Sequence, residues 1–129
     1  MGSLITIPRE STASIKLSIK QAGVIVNPSI FDNVVVIITD SYGQVVGKYS
    51  IIQNAGEGFD ALTIVDSKLN FVLQSDQTKD AQLSKLFSEV RAIKLDDTQR
   101  SGKWNTIAKR KEFAVIDDSD SSKLIMPAL

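Results

Sequence analysis

Ala13-Ser14-Ile15-Lys16-Leu17-Ser18-Ile19-Lys20 places an apolar or small residue at every odd position and serine or lysine at every even one. A period of two is the signature of a β-strand with one face in a core and the other in water. Working outward, similar short segments recur between turn signals. Leu4-Ile5-Thr6-Ile7 precedes Pro8, which suits a first or edge strand that leaves one ladder position unpaired. Gln21-Ala22-Gly23 turns the chain into Val24-Ile25-Val26, and Asn27-Pro28-Ser29 breaks it again. Val34-Val35-Val36-Ile37-Ile38, within 33–40, is an unbroken β-branched run, too short for a core helix and too apolar for an edge; it belongs in the middle of a sheet. Ser41-Tyr42-Gly43-Gln44 supplies a hairpin turn, so Val45–Ile52 returns as the antiparallel neighbour.

Further along, Gln53–Asp60 holds two glycines and few apolar anchors and reads as a loop. Ala61–Val65 and Leu69–Leu73 resume strand character, with Leu69, Phe71 and Leu73 pointing inward. Thr78–Phe87 is where helix competes, because Ala81, Leu83, Leu86 and Phe87 fall near helical spacing after the capping residues Ser75 and Thr78; at most two turns are expected. Ser88–Leu95 and Lys111–Ile116 read as the last two long strands. Trp104-Asn105-Thr106-Ile107 adds a few paired residues between them.

These elements predict an all-β fold: a single immunoglobulin-like antiparallel β-sandwich with at most one short helix. The sandwich occupies residues 1–116. Residues 117–129 form an acidic spacer, Asp117-Asp118-Ser119-Asp120-Ser121-Ser122, followed by an apolar tail, Leu124-Ile125-Met126-Pro127-Ala128-Leu129. A chain of 129 residues buries about two-thirds of its unfolded surface, enough to fold without a cofactor or disulfide.

Composition then narrows the function. Lys+Arg and Asp+Glu are equal at 15 each, so no net field steers the molecule toward nucleic acid or an anionic membrane. No apolar run approaches the ~20 residues of a membrane helix, which predicts a soluble domain. With neither histidine nor cysteine, the chain lacks the usual base for a serine nucleophile, any thiolate, and the commonest transition-metal ligands. Gly56-Glu57-Gly58 has neither the spacing nor the context of a phosphate loop. Asp117, Asp118 and Asp120, with Asp96 and Asp97, are oxygen donors, yet they lack the spacing of a calcium loop. The sequence therefore predicts no enzyme, no cofactor and no metal.

Two features point to protein partners instead. Arg91, Lys94, Arg100, Lys103, Lys109, Arg110 and Lys111 face only Asp96 and Asp97 between 91 and 111, with Trp104 in their midst. A basic stretch with an aromatic is also what nucleic acid binds, but a lysine-rich hairpin more often keeps an edge strand from unwanted pairing, and an acidic patch on a protein neighbour is the more natural partner than nucleic acid. The apolar tail, placed after a flexible acidic spacer, either folds back on its own sheet or inserts into a neighbour. The candidate interface residues are Leu124, Ile125, Met126 and Leu129 of the tail, and Trp104, Lys109, Arg110 and Lys111 of the basic stretch.

Leu83, Leu86 and Phe87 at a turn, Val90, Ala92 and Ile93 in a strand, and Phe113 and Val115 in a last strand also resemble the closing half of the immunoglobulin-like N-terminal domain of siphophage baseplate upper proteins. The opening half is similar through Val34–Ile38 and Asp40-Ser41-Tyr42-Gly43. That family's domain usually continues into a long helical or fibre-like region, whereas a short apolar tail follows here. The resemblance implies a non-enzymatic structural or adaptor subunit of a phage particle (capsid, neck, tail or baseplate), located in the virion. Its partners would be other virion proteins, in a homo-oligomer or a symmetric multi-copy assembly, with no role for membrane. The alternative is a carbohydrate-binding or adhesin-like recognition module. Trp104, Tyr42 and Tyr49 are few aromatics for sugar stacking, so such a site would rest on polar loops.

Overall fold

A computed structural model describes residues 5–52, 58–80, 85–94 and 105–117. Among the described residues the fold is all-β with one short helix. In chain order the elements are β1 Ile5–Pro8, β2 Ala13–Leu17, β3 Ile19–Gln21, β4 Val24–Val26, a 3-10 turn Pro28–Ile30, β5 Asn33–Asp40, β6 Val45–Ser50, β7 Asp60–Ala61, β8 Thr63–Val65, β9 Lys68–Leu73, α1 Ser75–Asp80, β10 Lys85–Ile93 and β11 Asn105–Asp117. Six strands form one sheet in the order β1-β11-β10-β5-β6-β7. Three form a second, β2-β9-β8, and β3 pairs with β4 as a separate hairpin.

The central position expected for the β-branched run holds: β5 lies between β10 and β6. Val34, Val36 and Ile38 are fully buried on the core face and Val35 is buried on the other. Opposite them β10 turns Leu86, Ser88, Val90 and Ala92 inward, in register with Asp40, Ile38, Val36 and Val34. The second sheet brings Ile15, Leu69, Phe71 and Leu73 to the same core. Tyr49 of β6 meets Phe71 of β9 with ring centroids 4.5 Å apart and tilted by 35°, an aromatic contact that locks the two sheets together.

Both predicted turns form. Ala22 (φ 51°) and Gly23 (φ 81°) supply the left-handed conformations that close the β3–β4 hairpin, and Gly43 (φ 81°) does so between β5 and β6. The second turn is fastened by Asp40, whose carboxylate accepts from the Tyr42 and Gln44 amides at 2.9 and 3.0 Å.

Several expectations need correction. The sheets are not purely antiparallel: β1 pairs with the end of β11 in parallel, Pro8 opposite Asp117, and β7 pairs with β6 in parallel. Ala13–Lys20 is not one strand. It breaks at Ser18, where the chain leaves the second sheet after β2 and enters the β3–β4 hairpin. The helix begins at Ser75, earlier than the spacing suggested, and Leu86 and Phe87 are strand residues. Because β10 starts at Lys85, Leu86 faces the core while Phe87 faces outward. β11 starts at Asn105, six residues before the predicted Lys111. Ala61–Val65 is divided by Leu62, whose buried side chain carries the chain from one sheet to the other.

Candidate protein-interaction surface

β11 carries three of the sequence-derived interface residues. Against β10 it shows three register shifts, between Leu86 and Phe87, Ser88 and Val90, and Val90 and Arg91. Each inserts one extra residue on the β11 side, and such bulges bend a strand and increase its twist. On its other side β11 pairs with β1 only over Ala114–Asp117, so no strand among the described residues pairs with Asn105–Phe113 from that side. This free edge carries Lys109, Arg110 and Lys111, all exposed. Charges and bulges on an open edge discourage a further strand from adding there, so β11 offers side chains to a partner more readily than it offers backbone.

The three cations are not equivalent. The Arg110 guanidinium lies 3.8 Å from the centroid of the Phe87 ring, its Nε donates to Thr39 Oγ1 at 3.0 Å, and its Nη2 donates to the Asp40 carbonyl at 2.7 Å. It thus bridges β11, β10 and β5 and shields an aromatic ring that β10 presents outward. Arg110 is a structural clamp, while Lys109 and Lys111 are available to solvent. Trp104 and the tail residues Leu124, Ile125, Met126 and Leu129 lie outside the described residues, as does the spacer from Asp118 onward. Trp104 immediately precedes Asn105, whose backbone pairs with Ala92 at the end of the sandwich where β5 begins.

That end also holds a feature the sequence reading missed. Val24 is 63% exposed, Ile25 59%, and Ile30 and Ile52 47% each. The first two belong to the β3–β4 hairpin, inserted between the end of β2 and the start of β5. Ile30 ends the 3-10 turn that Asn27 caps by accepting the Ser29 amide at 3.0 Å. Ile52 is held by its amide, which donates to Asn33 Oδ1 at 3.0 Å, and the neighbouring Asp32 amide donates to the Ile93 carbonyl at 2.9 Å. The available signal was Val24-Ile25-Val26 directly after a two-residue turn. A two-stranded hairpin cannot bury both faces of three consecutive aliphatic residues.

A cleft of about 390 Å³ opens elsewhere, beside the seam between the two sheets, lined by Asp60, Thr63, Asn70 and Gln74 together with Ala61, Val72, Tyr49 and Phe71. Both rings are buried, so neither offers a face for stacking. The Tyr49 hydroxyl donates toward the Val72 carbonyl at 3.1 Å and Gln77 Oε1 at 3.0 Å. Burial pushes its pKa up to about 12, with the Gln77 hydrogen bond acting in the opposite direction and Asp60 and Asp76 adding to the rise. A phenol held neutral in this way is a structural donor. Among the described residues no group of three acidic, histidine or cysteine side chains converges as a metal site, and no helix is long and apolar enough to cross a membrane. Comparison of the chain with protein-family models, with curated proteins and with solved structures gives no match.

Proposed function

We propose that this chain is a non-enzymatic structural or adaptor module that holds neighbouring proteins together, and that it does so in a phage particle, as the resemblance to baseplate upper proteins implies. The observation that carries the adaptor role is the exposure of Val24, Ile25, Ile30 and Ile52 on the segments around the end of the sandwich where β5 begins. Exposed aliphatic clusters of this kind mark protein contacts. An immunoglobulin-like arrangement is supported by strand order. The run β11-β10-β5-β6 corresponds in sequence of pairing to G-F-C-C′ of a variable-type domain, and β2-β9-β8 corresponds to B-E-D. Quantitative mass spectrometry of purified particles from the organism that encodes the chain tests the assignment. The chain should be present in fixed multi-copy stoichiometry and should cross-link to other virion proteins; its absence from particles refutes the virion role.

A second reading, recognition of a carbohydrate, is favoured by the cleft in which Asp60, Thr63, Asn70 and Gln74 supply donors and acceptors of the kind sugar hydroxyls require, beside the apolar Ala61 and Val72. Glycan-array binding that disappears in Asn70→Ala would establish it, and an array without signal would refute it.

A further inference from the structure

The exposed aliphatic residues and the exit of β11 into the spacer lie at opposite ends of the sandwich. β11 enters at Asn105, level with Ala92, and exits at Asp117, level with Pro8. Discounting the bulged residues, its length is about 30 Å at roughly 3.3 Å per residue. From Asp117 a fully extended chain carries Leu124 only about 24 Å at ~3.4 Å per residue, and Ile125 little further. The aliphatic end, which lies beyond Asn105, is therefore out of reach of the chain's own Leu124 and Ile125. A second copy meets no such limit.

The chemistry of the two elements matches. Residues 117–129 present Asp117, Asp118 and Asp120, then Leu124, Ile125 and Met126. The β3–β4 hairpin places the exposed cation Lys20 directly across from the exposed Ile25, and β3 packs beside β11, which carries Lys109 and Lys111. Basic and aliphatic groups on one surface suit a segment that is acidic and then aliphatic. On the adaptor reading above, we propose that the Asp117–Leu129 segment of one copy docks on the β3–β4 hairpin of a second copy, with Leu124 and Ile125 against the face that carries Ile25 and the aspartates beside Lys20 and the β11 lysines. The contact is heterologous, so it builds a ring where the rotation closes and a filament where it does not.

Sedimentation velocity of the full chain over a concentration series tests this. The parent should self-associate, more weakly at high salt. Ile25→Asp, at a solvent-facing position, and Ile125→Asp should each reduce association about tenfold or more while leaving the circular dichroism melt unchanged. Mixed together, these two variants should form a one-to-one complex, because one retains the tail and the other retains the hairpin. Lys20→Glu serves as a second hairpin variant and should likewise pair with Ile125→Asp. A parent that stays monomeric, a variant that associates like the parent, or a mixture that stays monomeric overturns the proposal. Presence of the chain in particles alongside a monomeric parent would leave the adaptor reading standing while this inference falls.

Discussion

Tyr49→Phe removes one oxygen atom and nothing else, and the structure sets what that atom is worth. The ring stays on Phe71 at 4.5 Å, so inter-sheet packing is preserved. What disappears is the single proton shared between the Val72 carbonyl at 3.1 Å and Gln77 Oε1 at 3.0 Å. Beyond Asn70, strand β9 has lost β8 as a neighbour, so the hydroxyl supplies a donor where the ladder stops. Gln77 Oε1 keeps the Gln74 amide at 2.7 Å while the Val72 carbonyl loses its donor, and losing such a part-buried bond costs about 1–2 kcal/mol, a substantial share of the ~5–15 kcal/mol that holds a domain together. For a chain of this size the melting temperature should fall by roughly 5–10 °C for a loss of ~2 kcal/mol. Gly47 provides the internal control. A Cβ built there would lie 2.9 Å from both the Tyr49 hydroxyl and Gln77 Nε2, so Gly47→Ala should destabilise by about 1–3 kcal/mol through overpacking. The double variant should lose less than the two single variants combined, because Tyr49→Phe vacates part of the space the methyl needs. Urea titration of all four proteins measures the coupling. A Tyr49→Phe midpoint equal to the parent, or strictly additive losses, would refute the account of this seam.

The same phenol predicts a pH effect. Folding raises its pKa from 10 to about 12, so the folded state keeps a proton that the unfolded state releases. Its contribution is complete below pH 10 and declines as pH rises through that window; thermal melts of Tyr49→Phe should therefore show a shallower alkaline loss than the parent, and parallel curves would contradict the assignment. Val36→Asp places a carboxylate at a fully buried position of the central strand, where an unpaired charge costs several kcal/mol; circular dichroism should report an unfolded chain, and a parent-like melt would displace β5 from the core. Arg110→Lys keeps the charge but loses the fork that engages Thr39 and the Asp40 carbonyl while covering Phe87; a loss of about 1 kcal/mol is expected, and an unchanged urea midpoint would demote the clamp.

Where sequence pattern and structure agree, the reason is local. Five consecutive β-branched residues can satisfy only a strand buried on both sides, and Ala22-Gly23 and Gly43 stand where the backbone needs φ above zero. Where they part, the missing information is non-local. Ile15 and Ile19 are both buried at 1% exposure, so the period of two runs uninterrupted through the corner at Ser18, and nothing in the alternation marks the change of sheet. The direction of β1 is equally silent, since inward and outward residues alternate in parallel and antiparallel ladders alike.

Leu86 and Phe87 make the most instructive case. Two adjacent apolar residues contradict a strand with one wet face, a contradiction that the helical spacing of Ala81, Leu83, Leu86 and Phe87 within Thr78–Phe87 avoids. It dissolves once Arg110, more than twenty residues away in sequence, covers the outward ring with its guanidinium. The residue that resolves the strand is thus the same one that appeared, by charge alone, to be offered to a partner. A run such as Lys109-Arg110-Lys111 cannot be divided into clamp and contact by composition, because the division depends on which side chain finds a π face across the ladder. The exposed aliphatic residues of the β3–β4 hairpin, near the start of β11, follow the converse logic. Val24 and Ile25 stay in water because a two-stranded hairpin has no second layer to cover them, and a surface left in that state by the fold itself is the place where another chain has most to gain by docking.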